Sequence, residues 1–88
     1  MIIKLFTKKN CPKCPSAKNL VEELKKDGLE DALFEFFDAE SVDGMAEAAF
    51  YTVMSTPSIL ICNDDGKEVK GWRGEVPDLK EFEELIKK

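Results

Sequence analysis

Apolar residues follow two different periods along the chain, and the changes between them divide it into strands and helices. Ile2 to Phe6 and Leu33 to Phe37 are short, nearly continuous apolar runs, which predict buried strands. From Pro12 the apolar positions recur every three or four residues, which predicts a helix, and Gly28 suits the position just past its end. The predicted buried face of this helix consists of Ala17, Leu20, Val21 and Leu24.

A second helix is predicted before the chain breaks at Ser55-Thr56-Pro57. Ser41 or Asp43 can cap its N-terminus, because both side chains accept hydrogen bonds from free backbone N–H groups. The apolar positions predict a buried face made of Met45, Ala46, Ala49, Phe50 and Val53.

The last third of the chain predicts a hairpin followed by a helix. Ile59 to Cys62 reads as a third buried strand. The Asp-Gly turn of residues 63–66 then leads into a polar strand, Lys67 to Gly71, at the edge of the sheet. Pro77 and Asp78 begin the last helix. Its predicted buried side consists of Leu79, Phe82, Leu85 and Ile86.

The resulting order, β-α-β-α-β-β-α, predicts an α/β fold with a central four-stranded mixed sheet flanked by three helices. A right-handed crossover makes the first two strands parallel, and the final hairpin extends the sheet. Because 88 residues leave no room for a second core, we expect residues 1–88 to form a single domain.

The composition excludes several functions. Without histidine, the chain cannot build a Ser-His-Asp triad, a Cys-His dyad or a His-ligated zinc site. The net charge of −5 argues against nucleic acid as a partner. No apolar run approaches the roughly 20 residues that span a bilayer, and the apolar N-terminus is too short for a signal peptide. We therefore expect no membrane partner and a cytoplasmic location.

Charge is distributed unevenly. Residues 1–21 contain five lysines and no acidic residue, whereas the other residues contain 8 basic and 18 acidic ones. This positive segment surrounds Cys11 and Cys14, the first two of three cysteines. It is either part of the site that these cysteines form or a solvated face balanced by acids elsewhere in the fold.

The motif Cys11-Pro12-Lys13-Cys14 lies between the first predicted strand and the first predicted helix, which is the context of a redox-active cysteine pair. Two intervening residues at helical pitch allow the sulfurs to form a disulfide. The helix N-terminus, together with Lys8, Lys9 and Lys13, favours the thiolate of Cys11, whose pKa we expect below that of an ordinary cysteine. Cys11 is thus the predicted attacking thiol, and Cys14 the thiol that resolves the mixed disulfide.

Two other uses of the cysteines compete with this hypothesis. A structural zinc site needs four ligands, whereas the sequence offers one close pair and the distant Cys62. An inert structural pair is expected in apolar surroundings rather than among lysines. Cys62 itself lies in an apolar strand and is expected to be a small core residue.

Two segments resemble known redox proteins. Residues 6–18, Phe-Thr-Lys-Lys-Asn-Cys-Pro-Lys-Cys-Pro-Ser-Ala-Lys, resemble the active-site segment of glutaredoxins and of the glutaredoxin-like redoxins that serve ribonucleotide reductase. Ser55-Thr56-Pro57-Ser58 and the strand, glycines and helix after it resemble the second half of thioredoxin. The chain is therefore identified as a member of the thioredoxin/glutaredoxin superfamily. The resemblance implies the thioredoxin fold and a thiol–disulfide oxidoreductase that reduces protein disulfides and needs no cofactor.

The resemblance also implies roles for residues outside the cysteine pair. Pro57 is expected to follow a cis bond and face the cysteines, with Thr56 offering backbone groups to an extended substrate. Lys8 matches the glutaredoxin lysine that contacts a glutathione carboxylate. Pro12 and Lys13, between the cysteines, are further candidate substrate contacts. Trp72, near the start of the last helix, either touches a partner or covers the edge of the core.

The expected partners are disulfide-containing proteins and an electron donor, either a thioredoxin reductase-like enzyme or glutathione. The glutaredoxin Thr-Val-Pro is Ser55-Thr56-Pro57 here, and residues 71–78 replace its Gly-Gly-x-Asp-Asp segment, which favours the reductase. We expect a monomer. The alternatives are a glutathione-dependent glutaredoxin, an iron–sulfur or metal carrier in which Cys11 of two subunits bridges a cluster, and a non-catalytic interaction module.

Overall fold

The computed structural model describes residues 1–26 and 32–86, with only the backbone at Ile86. The predicted order of elements is confirmed. Gly28, which was predicted to follow the end of the first helix, lies outside the described residues. The elements are β1 (Ile2–Thr7), α1 (Cys14–Lys26), β2 (Leu33–Asp38), α2 (Val42–Phe50), β3 (Ser58–Cys62), β4 (Glu68–Arg73) and α3 (Leu79–Ile86).

The four strands form one mixed sheet in the order β2-β1-β3-β4. β1 pairs parallel with β2, as a crossover through α1 requires, and antiparallel with β3. The β3–β4 hairpin extends the sheet and leaves the polar β4 at its edge, as predicted. Phe6, near the end of β1, pairs with Ser58 at the start of β3. This register places the C-terminal end of β1 and the N-terminal end of β3 side by side at one end of the sheet.

Alternate residues of β1 serve two cores on opposite faces of the sheet. Ile3 and Leu5 join the core that α1 and α3 cover, whereas Phe6 joins the core beneath α2. The larger core consists of Ile3, Leu5, Ala17, Leu20, Val21, Leu24, Ile59, Ile61, Trp72 and Phe82. The smaller one consists of Phe6, Ala48, Val53, Leu60 and Cys62. The predicted buried face of α1 is therefore confirmed.

The predicted buried face of α2 is wrong except for Val53, which lies beyond the helix. Met45 is 52% and Phe50 is 76% exposed, and Ala46 and Ala49 are exposed as well. The buried residues of α2 are Gly44 and Ala48, one position earlier in each turn. Small residues face the sheet because the helix lies close to it: a Cβ at residue 44 would collide with the carbonyl oxygen of Asp38. Ser41 caps the helix, accepting a hydrogen bond from the Gly44 N–H at 2.9 Å.

The start of α1 and the exposure of Leu85 also differ from the sequence prediction. α1 begins at Cys14 rather than Pro12, since residues 11–13 form a turn before the first helical bond. On α3, Phe82 is fully buried as predicted, but Leu85 is 42% exposed because it lies near the last turn. The predicted burial of the Ile86 side chain concerns atoms outside the described part of the chain.

Candidate active site

Cys11 and Cys14 are joined by a disulfide, with their Cα atoms 5.4 Å apart. Cys14 is the first residue of α1 and only 5% exposed, whereas Cys11 is half-buried in the preceding turn. The sulfur of Cys11 therefore lies at the N-terminal end of α1, where free N–H groups and the helix dipole stabilise a thiolate. Cys11, the outer cysteine, is therefore the more exposed residue of the pair.

The turn that carries Cys11 is held by its backbone. The N–H of Cys14 donates to the carbonyl oxygen of Cys11 at 3.3 Å, and Ala17 donates to Lys13 at 3.2 Å in the first helical bond. Pro15 is the second residue of the helix, a position whose N–H has no partner within the helix, so its ring costs no hydrogen bond. Asn10 has a φ of 60°, a left-handed conformation that asparagine adopts more readily than most residues.

The segment from Ser55 to Ser58 forms the second part of the site. The Thr56-Pro57 bond is cis, as the resemblance implied. The buried Ser58 hydroxyl donates to the carbonyl oxygen of Ser55 at 2.7 Å and closes the segment on itself. The N–H of Gly74 donates to the carbonyl oxygen of Pro57 at 2.9 Å. Since Phe6 pairs with Ser58, this segment lies at the same end of the sheet as the C-terminus of β1, and the chain continues from there to Cys11.

Two grooves share Lys8, and the first of them is lined by both cysteines. The first groove, of about 530 Å³, is lined by Thr7, Lys8, Asn10, Cys11, Pro12, Cys14, Pro15 and Lys18. The second groove, of about 350 Å³, runs along α2. It is lined by Lys8, Ala39, Glu40, Met45, Ala48, Ala49, Val53, Met54, Ser55 and Thr56.

The structure brings most of the predicted site residues together. Lys8 and Pro12 line the first groove with both cysteines, and Thr56 lines the second. The Thr56 hydroxyl is buried and has no hydrogen-bond partner among the described residues. Lys13 is exposed in the turn between the cysteines, and Pro57 is buried.

Trp72 is not part of either groove. Its side chain is 4% exposed, stacks on Phe82 with ring centroids 5.2 Å apart, and donates its Nε1–H to Glu81 at 2.8 Å. These contacts agree with the other reading of this residue, an aromatic that covers the core. The structure therefore offers no support for Trp72 as a contact for a substrate.

Cys62 lies far along the sheet from the cysteine pair. It pairs with Ile2 at the start of β1, whereas the disulfide follows the end of that strand. Its side chain is fully buried, as predicted, and burial raises the pKa of its thiol, while a hydrogen bond with Tyr51 opposes this shift. Among the described residues, no group of three or more cysteine or acidic side chains is placed to hold a metal ion.

A buried lysine joins α2 to the sheet beneath it. Lys4 Nζ donates to Glu35 of β2 at 2.7 Å and to Glu47 of α2 at 3.0 Å. Burial lowers the pKa of Lys4, but the hydrogen bonds and charges of the two carboxylates outweigh it and raise the pKa above its ordinary value. Lys4 is therefore a charged link between elements, unlike the exposed lysines around the disulfide.

Comparison with known proteins shows the family to which the chain belongs. The family model for a thioredoxin domain matches residues 1–87. The chain belongs to the thioredoxin-domain family. A probable thioredoxin of Archaeoglobus fulgidus is 31% identical over 88 residues, which cover 100% of this chain and 88% of that protein. A thioredoxin of Methanocaldococcus jannaschii is 34% identical over 62 residues, covering 70% of this chain and 71% of that protein.

Solved thioredoxin structures share the fold at lower identity. A mutant thioredoxin of Halobacterium salinarum has a TM-score of 0.80 and 23% identity, covering 98% of this chain and 71% of that one. Thioredoxin 1 of Thermosipho africanus has a TM-score of 0.78 and 20% identity, covering 99% and 91%. The predicted thioredoxin fold and superfamily are confirmed. The chain is a thioredoxin-like dithiol–disulfide redoxin, a thiol–disulfide oxidoreductase.

Sequence reasoning missed three residues that shape this thioredoxin-like site. Ser58 closes the segment before Pro57, Gly74 binds the Pro57 carbonyl, and Asn10 turns the chain into Cys11. Two of them had a usable signal: Asn10 is of a residue type that tolerates positive φ, and Gly74 has a φ of 74°. Which residues Asn10 and Gly74 would lie against depended on the tertiary fold.

In the part of the chain that the structure describes, none of the helices has the length and hydrophobicity that a membrane span requires.

Proposed function

We propose that Cys11 is the attacking thiol and Cys14 the resolving thiol in the reduction of protein disulfides. The observation that carries this proposal is the difference in exposure between the two cysteine residues. The half-buried Cys11 lines an open groove at the N-terminus of α1, and the 5% exposed Cys14 is bonded to it from the helix side. A macromolecule reaches Cys11 first, and Cys14 stays within bonding distance of it.

The exchange balances in two steps. The Cys11 thiolate attacks one sulfur of the substrate disulfide, so a new S–S bond forms, and the other substrate sulfur leaves as a thiolate that takes a proton from water. Deprotonated Cys14 then attacks the Cys11 sulfur and releases the second substrate thiolate. The substrate gains two electrons and two protons, and the redoxin is left with the Cys11–Cys14 disulfide that the structure contains.

Thiol trapping tests these roles. Cys11→Ser should abolish reduction of insulin disulfides, because the thiol that remains at the groove, Cys14, is only 5% exposed and cannot attack a protein disulfide. Cys14→Ser should accumulate mixed disulfides with substrate that survive non-reducing electrophoresis. Cys62→Ser is the matched control and should retain the rate of the parent protein, since Cys62 lies in the core beneath α2. Full insulin reduction by the Cys11→Ser variant would overturn the assignment.

We further propose that a thioredoxin reductase-like enzyme, rather than glutathione, returns the disulfide to the dithiol. The support is the departure of residues 55–57 and 71–78 from the glutathione-binding segments of glutaredoxins. The oxidised protein should be offered NADPH with a thioredoxin reductase and, separately, glutathione with glutathione reductase. Faster recovery of the dithiol in the glutathione arm would contradict this part of the proposal.

We propose finally that residues 1–88 act as one domain and as a monomer in the cytoplasm. The working cycle needs a reductant, and cytoplasmic reductants keep thiols reduced. Light scattering on the reduced and the oxidised protein should give the 9.9 kDa mass of one chain. A mass of twice that value would exclude the monomer. Fractionation of cells that express the protein at its natural level should recover it in the cytoplasm, and recovery elsewhere would contradict the location.

A further inference from the structure

Four lysines lie close to the cysteine pair in sequence, and their side chains form no salt bridge among the described residues. The carboxylates of Glu35 and Glu47 neutralise Lys4, the fifth lysine of the N-terminal segment. In the part of the chain that the structure describes, the other four are exposed and take part in no ion pair. They form what we call the basic rim, made of Lys8, Lys9, Lys13 and Lys18.

Two lysines of the basic rim line the groove that contains both cysteines. Lys8 and Lys18 line the first groove, and Lys8 also lines the second. Lys13 lies between the cysteines in sequence. The acidic residue in the lining of the second groove is Glu40, whose carboxylate accepts a hydrogen bond from the backbone N–H of Lys9 at 3.1 Å. A partner that reaches Cys11 therefore meets a positive surface.

We propose that the basic rim binds acidic segments of partner proteins and so selects disulfides flanked by aspartate or glutamate. This inference rests on the proposed exchange at Cys11 and adds a substrate class to it. The sequence outside residues 1–21 has ten more acidic than basic residues. The acidic residues outside residues 1–21 repel an acidic partner, and the basic rim attracts it. Long-range charge therefore orients the encounter toward Cys11.

Peptide mixed disulfides test the selection. Three peptides of equal length carry one cysteine disulfide-linked to 2-mercaptopyridine, flanked by two glutamates, two glutamines or two lysines. The reduced protein attacks the peptide sulfur, and the pyridine-2-thione that leaves gives the rate by absorbance. At about 10 mM salt, where the Debye length is about 30 Å, we expect the glutamate peptide to react at least 10-fold faster than the lysine peptide. At about 1 M salt the ratio should fall to within about 2-fold.

A pair of charge-matched variants locates the effect. Lys18→Gln, in the lining of the first groove, should reduce the glutamate-to-lysine rate ratio at low salt by about 3-fold. Lys67→Gln removes the same charge from the β3–β4 turn at the opposite end of the sheet and should leave the ratio unchanged. The glutamine peptide corrects for any change in the nucleophilicity of Cys11.

The outcomes separate this inference from the proposed function. No reaction with the glutamine peptide would mean that the proposed exchange itself fails. Reaction with all three peptides at equal rates would overturn the selection and leave the exchange intact. The selection would also be overturned if Lys18→Gln and Lys67→Gln had equal effects. The same holds if oxidised glutathione, but not the glutamate peptide, showed the salt-dependent advantage, because the rim would then serve the carboxylates of glutathione.

Discussion

The N–H of Gly74 donates to the carbonyl oxygen of Pro57 at 2.9 Å and joins the end of the hairpin to the segment that contains the cis Thr56-Pro57 bond. Gly74 has a φ of 74°, and a Cβ at this position would lie 2.8 Å from the Ser55 hydroxyl oxygen. The positive φ therefore favours glycine, and a Cβ would also force the Ser55 hydroxyl to move. One residue supports the geometry of a segment 17 positions away in sequence.

We expect Gly74→Ala to lower the free energy of unfolding by about 1–3 kcal/mol, because a non-glycine residue is strained at this φ. It should also slow disulfide exchange, since strain at this φ disturbs the hydrogen bond that Gly74 donates to Pro57. Gly66→Ala is the matched control: its φ is 88°, but the nearest atom is the Tyr51 hydroxyl at 3.6 Å, in the turn remote from the disulfide. This control should lose stability and retain the exchange rate. Equal rates for both variants would contradict the role of Gly74.

Lys4→Met should destabilise the protein by about 2 kcal/mol, between the cost of breaking an exposed pair and a buried one. The change leaves Glu35 and Glu47 without the ammonium group that both contact, although water reaches them, since they are 35% and 37% exposed. Adding Glu35→Gln or Glu47→Gln to the Lys4→Met variant should restore part of the lost stability. Urea unfolding compares the parent, Lys4→Met and the two double variants. A Lys4→Met variant as stable as the parent would contradict the role of Lys4 in joining α2 to the sheet.

The loss in Lys4→Met should not depend on pH between about 6 and 9. The pKa of Lys4 is raised in the folded state, so its contribution is fully present below the ordinary value of 10.5 and is lost only as pH rises through the folded pKa. If the stability difference between Lys4→Met and the parent disappeared between about pH 6 and 9, another group would be responsible.

Glu68→Gln should lower stability by about 1 kcal/mol at pH 7 and by less as the solution is acidified. Arg73 donates two hydrogen bonds to the Glu68 carboxylate, at 2.7 and 2.9 Å, and these hold the pKa of Glu68 below its ordinary value of 4.5. The contribution is therefore present above that value and lost as pH falls through the folded pKa. Glu22→Gln, on the exposed side of α1, should stay within about 0.5 kcal/mol of the parent. A constant effect of Glu68→Gln from pH 7 to about pH 2 would exclude this ion pair as the cause.

In the reduced protein, a mild alkylating reagent at about pH 6.5 should label Cys11 within minutes and Cys62 only after unfolding. Cys11 lines an open groove at a helix N-terminus, whereas the Cys62 thiol is fully buried and burial raises its pKa. Mass spectrometry of peptides separates the two sites, and urea supplies the unfolded control. Rapid labelling of Cys62 in the folded protein would contradict its place in the core.

The sequence alone determined what depends on near neighbours. The alternation of periods predicted all seven elements in order, the Asp-Gly turn predicted the hairpin, and Ser41 was one of two predicted caps. The placement of Cys11 and Cys14 between a strand and a helix predicted the disulfide. These features are local because a helix period, a tight turn and a two-residue spacing are set within a few positions.

Only the tertiary structure decided which surfaces meet. The pattern of α2 favoured Met45 and Phe50 as core residues, yet the helix packs through Gly44 and Ala48, because its backbone lies close to the sheet. Trp72 belongs to the core through Phe82 and Glu81, and Gly74 meets Pro57 only when the hairpin has folded onto the sheet. Such contacts join residues distant in sequence, and the balance of packing over the whole core selects them.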